Sequence, residues 1–309
     1  MLIPDILVEA TVYSSIISLV CMGFTLIHIT EDIPNLAQGT FMVFGMYVSF
    51  TVGELFHLSP YLGMPFAFVL GGAMGALFFM AVIRVLSRNN IGEVYMTLST
   101  LAFQIFMVQT LYVYAFWIRE TLWVWSYGFL FGADDFQFLG LQGVFSVSLV
   151  ACILAVAGLR RLMGTKTGIA MRASAENREL AEVMGIDTSR MRSLTWFLSG
   201  GLASLAGAMF PMMFQAAPHI GSTIISTIMA ASILGGLGHI LGAVVGGFII
   251  GFTRIILPGM IEPFFHDSNV AYTIVLIVLS IACVFLLEPR GIMGVYERVA
   301  ESRKSRQIS

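Results

Sequence analysis

The chain is 309 residues long, 58% hydrophobic and only 11% charged, with a net charge of −2. Soluble domains carry about 25% charged residues. This composition, with a mean hydropathy of +0.89, excludes an ordinary globular protein and predicts a polytopic membrane protein, and the near-neutral balance gives no footprint for nucleic acid.

The amino terminus, MLIPDILVEA, lacks a basic stretch and carries Asp5 and Glu9, so the first span is expected to be retained rather than cleaved as a signal peptide. A crossing needs about 20 apolar residues. Charge-free windows of that kind run over 10–30, 33–53, 55–83, 94–118, 136–159, 193–253 and 268–287. The window 193–253 has room for three crossings, with breaks at Pro211, Pro218 and the glycines from Gly235 to Gly238. The expected fold is all-α, a transmembrane bundle of about eight to nine spans. It is read as a single domain over 1–309, with a polar loop at 160–192 between spans 5 and 6 and a short tail at 289–309.

Lys and Arg of short loops favour the cytoplasm. With loop 160–192 and the carboxyl terminus inside and the amino terminus outside, Arg119 and Arg254 are the basic residues left toward the outside. Arg254 reads as snorkelling or pairing with Glu262. Glu31 and Asp32 disagree with this layout, because they fall inside with no basic neighbour in the sequence. A polar break at Asn35, Gln38 and Gly39 within the second window is tolerated at membrane depth only against protein or water. It is therefore the better candidate for a solute path than Thr97, Ser99, Thr100, Gln104 or Gln109. Those side chains equally suit packing or bonds within their own helix. The aromatic loop 119–138 reads as an interfacial belt or as a docking rim for an external partner.

The loop 160–192 (RRLMGTKTGIAMRASAENRELAEVMGIDTSRMR) is dense in charge between apolar runs. One ionised side chain in lipid costs about 2.5–3.5 kcal/mol or more, so it lies outside the bilayer. Residues 169–184 are predicted to form one amphipathic helix, with Ala173, Asn177, Leu180 and Met184 on one face. Gly185 follows as its left-handed C′ residue, and Asp187 or Thr188 caps the next helix. Such a helix either docks a soluble motor or lies on headgroups. Farther on, Gly242, Gly246, Gly247 and Gly251 form two interleaved small-residue patterns, read as helix packing within the chain. Cys21, Cys152 and Cys283 are too dispersed for a disulfide framework or metal site. His28, His219 and His239 have no ligand spacing, so no metal is expected.

The segment from Ala173 to Asp187 resembles the cytoplasmic loop of permease subunits of branched-chain amino acid ABC importers. The resemblance continues at PNLAQG from Pro34 to Gly39, at TLST from Thr97 to Thr100, at ILGGLGHILGAVVGG from Ile233 to Gly247, and at EPRGIMG from Glu288 to Gly294. It implies a multi-pass permease of the cell's inner membrane that moves amino acids inward. A second permease subunit, identical or not, would complete the pathway; ABC ATPase subunits and an extracytoplasmic solute-binding protein would be partners. Loop 160–192 would hold the coupling helix, with Glu176, Asn177, Glu179, Leu180, Ala181, Met184 and Gly185 facing the ATPase. The family's N-F-A-H-G reads NLAQG here, with Gln38 for His and Thr40 for a following acidic residue, and its G-L-G-S carries His239 for Ser. If those positions touch solute, selectivity differs from leucine, isoleucine and valine, and the same machinery carrying urea or short amides is the alternative. The chain has no G-x-x-x-x-G-K-[ST] loop, so any ATP is bound by a partner, and no cofactor of its own is expected. It shows no catalytic motif of an embedded enzyme. A stand-alone transporter would usually carry intramembrane ionisable groups, which these windows lack.

Overall fold

A computed structural model describes residues 3–89, 91–132, 135–138 and 141–261. Apart from a small hairpin and an isolated bridge between Phe129 and Ala216, the regular structure of these residues is helical. Helix α1 (Ile3–Glu31) is the axis of the bundle. It is apolar around its whole circumference, and from Val12 to Ile27 nearly every side chain is fully buried, as expected of a helix surrounded by other helices rather than by lipid.

Residues after α1 do not resume a full crossing. Pro34 disfavours helix at the residue before it, and Asn35 Oδ1 accepts from the Ala37 amide at 3.1 Å. Helix α2 (Gln38–Phe50) therefore starts level with the middle of α1, where Gln38 reaches the Val20 carbonyl. It ends in a π-turn, Thr51–Leu55. The window 33–53, read from sequence as a span, is thus a short non-helical turn segment and a half-length helix.

A turn at Pro60–Leu62 leads into α3 (Gly63–Phe78), which continues through a π-turn, Phe79–Ile83, into α4 (Arg84–Arg88). Helix α5 (Glu93–Leu122) then spans the bundle. The link to α6 (Gly143–Met163) includes the hairpin strands β1 (Gln137–Phe138) and β2 (Leu141–Gln142). Helices α7 (Lys166–Glu176) and α8 (Arg178–Val183) precede α9 (Thr188–Met209), α10 (Ile220–Gly235) and α11 (Ile240–Ile261). The breaks after α9 and α10 fall at Pro211, Pro218 and the Gly235–Gly238 cluster.

Among the described residues six helical runs are long and apolar enough to cross a membrane: Asp5–Glu31, Pro60–Arg88, Glu93–Leu122, Gly143–Met163, Thr188–Met212 and Ile240–Pro258. Helices α2 and α10 are apolar but shorter. The window 268–287 and the motif at Glu288–Gly294, which the count of eight to nine also needs, lie outside the described residues, as do Cys283, Glu262 and the tail.

Small residues set the close contacts. Helix α11 runs antiparallel to α1 and presents two faces. A Cβ at Gly242 or Gly246 would run into the backbone of α10 at Gly235 or Ala231, and one at Gly247 or Gly251 would meet Ser18 or Ser14 of α1. Ser18 and Ser14 donate to the Val244 and Phe248 carbonyls at 3.0 and 3.3 Å. Helix α9 meets α3 in the same way through Gly71, Gly75, Gly200 and Gly201. Where lipid removes the hydrophobic drive for helix association, backbone approach and interhelical bonds of this kind replace it.

Candidate functional site

At the end of the bundle marked by Glu31 and Arg192, loop 160–192 folds as two helices rather than the single helix predicted over 169–184. Asn177 makes the break. Its backbone is extended (φ −151°, ψ 102°), and its side chain accepts from the Leu180 amide at 2.9 Å. Asn competes for local backbone bonds and prefers a cap to a helix interior. Ala173 and Asn177 therefore do not share a continuous face with Leu180 and Met184. Gly185 does take the left-handed conformation, at φ +81°. Its amide bonds the Glu182 carbonyl and that of Ile186 bonds Ala181, each at 3.0 Å, which is a Schellman closure. Asp187 then caps α9 by accepting from the Arg190 amide at 3.0 Å.

Leu180, Val183 and Met184 stand 60%, 83% and 75% exposed at the tip of α8. Glu176, Asn177, Glu179 and Gly185 are exposed beside them, whereas Ala181 is buried and anchors the helix from beneath. Val183 did not stand out in the sequence; its neighbourhood to the two predicted apolar residues depends on where α8 begins.

The tip is braced to α4 and α9, and α9 is in turn tied to α1. Arg178 donates to Ser87 of α4 at 2.6 Å and to Glu182 at 3.1 Å. Glu182 accepts from Thr188 of α9 at 2.6 Å. The Thr188 hydroxyl first, and Arg178 second, hold the Glu182 carboxyl below its ordinary range. Arg192 of α9 donates to Ser87 at 3.0 Å and through Nε to Glu31 at 2.7 Å, with a second contact from its other guanidinium nitrogen. Its guanidinium also lies 5.3 Å from the Phe79 ring centre. Glu31 thus has the basic partner that the sequence reading denied it. The partner is 161 positions away, and the placement of both residues on the inner side of the expected layout was the available signal.

The polar residues of the spans separate into two groups. Asn35 Nδ2 donates to Gln38 Oε1 at 2.9 Å, and Ser199 of α9 donates to the same oxygen at 3.0 Å. The Leu36 amide bonds Thr100 Oγ1 at 3.1 Å. Asn35, Gln38 and Thr100 are fully buried and Gln104 nearly so. Gly39 packs against Gly221 of α10 with no room for a side chain. Ser99 and Thr100 donate to carbonyls of their own helix, at Met96 and Thr97, and Gln109 is exposed. None of these lines the cleft of about 610 Å³ between α2, α3 and α5, whose walls include Tyr47, Thr51, Phe66, Met107 and Tyr114. Ser199, the partner of Gln38, was missed because nothing local in the sequence links them.

At the opposite end, half-buried Arg254 donates to Thr227 at 2.8 Å and sits over the Tyr13 ring, while Glu262, its other expected partner, lies outside the described residues. The aromatic loop is split. Phe129 and Phe131 turn inward onto Phe50, while Trp123 and Trp125 stay exposed. Among the described residues no group of three His, Cys, Asp or Glu could hold a metal ion.

The family model described as branched-chain amino acid transport system, permease component, matches residues 6–285. The probable branched-chain amino acid transport permease protein LivH of Methanocaldococcus jannaschii is 38% identical over 291 residues, covering 94% of this chain and 92% of that protein. The high-affinity permease proteins LivH of Escherichia coli K12 and BraD of Pseudomonas aeruginosa are 26% and 24% identical. They cover 90% and 93% of this chain, and 91% and 94% of their own lengths are matched. No solved structure matches the chain. With long apolar helices through most of its described length and a family match over nearly all of it, the protein is a multi-pass membrane permease belonging to the permease components of branched-chain amino acid transport systems.

Proposed function

We propose that the chain is the transmembrane subunit of an ABC importer that carries branched-chain amino acids across the inner membrane into the cytoplasm. The match over residues 6–285 carries this reading. ATP is hydrolysed by separate ATPase subunits docked at the Arg192 end, an extracytoplasmic binding protein delivers solute at the Arg254 end, and a second permease subunit completes the pathway. The orientation is supported by Arg84, Arg88, Arg160, Arg161, Lys166, Arg172, Arg178 and Arg190, which cluster with Arg192. The docking role of α8 is supported by its exposed apolar tip on a base tied to α4 and α9, and through Arg192 of α9 to α1. Movement of a docked partner would pass through those ties into the spans. Urea or short amides remain the weaker reading, because Gln38 spends its side chain on Asn35, Ser199 and Val20.

The test is ATP hydrolysis by the complex of both permeases and the ATPases in proteoliposomes, with binding protein present and leucine added or withheld. Stimulation that requires both binding protein and leucine is expected. Glu179→Lys, an exposed change, is expected to lower leucine uptake per ATP while the complex still assembles. An assembled complex indifferent to leucine would overturn the substrate, and failure of any ATPase subunit to bind would overturn the machine.

A further inference from the structure

The basic residues of loop 160–192 divide into two sets. Arg178, Arg190 and Arg192 are each paired with a carboxylate, Glu182, Asp187 and Glu31 respectively. Arg160, Arg161, Lys166 and Arg172 have no carboxylate partner among the described residues. Arg172 donates to the Met163 carbonyl at 3.1 Å. The carboxylates at the end of α1 do not serve this second set: Glu31 belongs to Arg192, and Asp32 has His28 at 3.9 Å.

Arg160 and Arg172 converge on a cleft of about 240 Å³ between the ends of α1, α6, α7 and α11. Its walls are apolar, formed by Leu26, Val156, Met163, Met171, Ile240 and Leu241, and Thr30 and His239 stand at its polar side. The cleft therefore pairs two guanidinium groups that have no carboxylate partner among the described residues with an apolar slot.

We propose that this cleft binds the phosphate of an anionic phospholipid, with Arg160 and Arg172 on the headgroup and an acyl chain along the apolar wall. Phosphate is the shared chemistry, and guanidinium suits it because its planar donors match phosphate oxygens. The lipid is the source because a free phosphate has no use for the apolar wall. Basic pockets between spans near a charged leaflet bind headgroups in this way. A lipid bridging α6, α7 and α11 would brace the loop in addition to the Glu31–Arg192 tie. The proposal rests on the chain being a membrane protein and not on what it transports.

The test is native mass spectrometry of the purified chain titrated with phosphatidylglycerol, with phosphatidylcholine, and with inorganic phosphate alone. Retention of phosphatidylglycerol well above phosphatidylcholine is expected. Arg160→Gln and Arg172→Gln should each weaken it about fivefold, as the loss of one near-surface charge implies. Arg190→Gln removes the same charge from a group already paired with Asp187, and is expected to leave retention unchanged. Equal retention of the two lipids, or equal loss in Arg190→Gln, would overturn the site. Binding of inorganic phosphate that displaces the lipid would overturn the lipid as its source.

Discussion

Glu31 and Arg192 meet with side chains 1% and 9% exposed, so neither charge is screened by water. Removing one partner of such a pair leaves the other buried and uncompensated, at a cost of about 3–5 kcal/mol. Glu31→Gln is therefore expected to lower the thermal unfolding midpoint of the purified protein sharply. Glu31→Leu combined with Arg192→Met should recover part of the loss, because no buried charge remains. A single variant that melts with the parent protein would show the pair to be solvated. Glu182 behaves differently, being exposed. Its carboxyl is depressed from an ordinary value of 4.5, so its contribution to the loop is complete above that value and is lost as pH falls through the lower folded-state value. The protection of α8 amides, measured against their intrinsic exchange rate at each pH, is expected to fall below about pH 4.5 in the parent protein, while Glu182→Gln should show the weaker protection at neutral pH as well.

The elements owe their positions to glycines, and substitutions at three of them separate space from conformation. A Cβ at Gly246 would run into the Ala231 backbone, whereas one at Gly158 meets nothing within 4 Å. Gly246→Leu is expected to abolish a monodisperse folded peak in detergent chromatography. Gly158→Ala should be neutral, or stabilising by up to about 1 kcal/mol through helix propensity. Gly185 has open space around it but φ +81°, so Gly185→Ala meets strain alone, at about 1–2 kcal/mol. Gly185→Pro also removes the amide that closes on Glu182, and it is expected to uncouple ATP hydrolysis from uptake while the protein still inserts. Normal uptake by Gly185→Pro with an ATPase attached would exclude α8 as the transmitting element.

Across the whole molecule the two ends differ in kind. One gathers Arg192 with most of the described basic residues, and the other carries Arg119, Arg254 and the exposed Trp123 and Trp125. In a cysteine-free background, Trp123→Cys is expected to react with a membrane-impermeant maleimide in intact cells, and Leu180→Cys only after permeabilisation. The reverse pattern would invert the orientation and place α8 out of reach of any cytoplasmic ATPase.

Most helices were legible because apolar length and charge are local: the windows, the breaks at Pro211, Pro218 and Gly235, the left-handed Gly185 and the Asp187 cap all follow from neighbouring residues. The membrane class and the family resemblance were equally present in the chain itself. The break at Asn177 was missed because helix propensity over 169–184 outweighed one capping residue in the reading, while in the fold the side chain found the Leu180 amide. Tertiary structure alone decided which helix each glycine of α11 faces, that Glu31 meets Arg192, that Ser87 receives two arginines, and that Gln38 is consumed by Asn35 and Ser199. Those are contacts between residues far apart in sequence. Their partners are set by how the helices cross, which composition and periodicity do not encode.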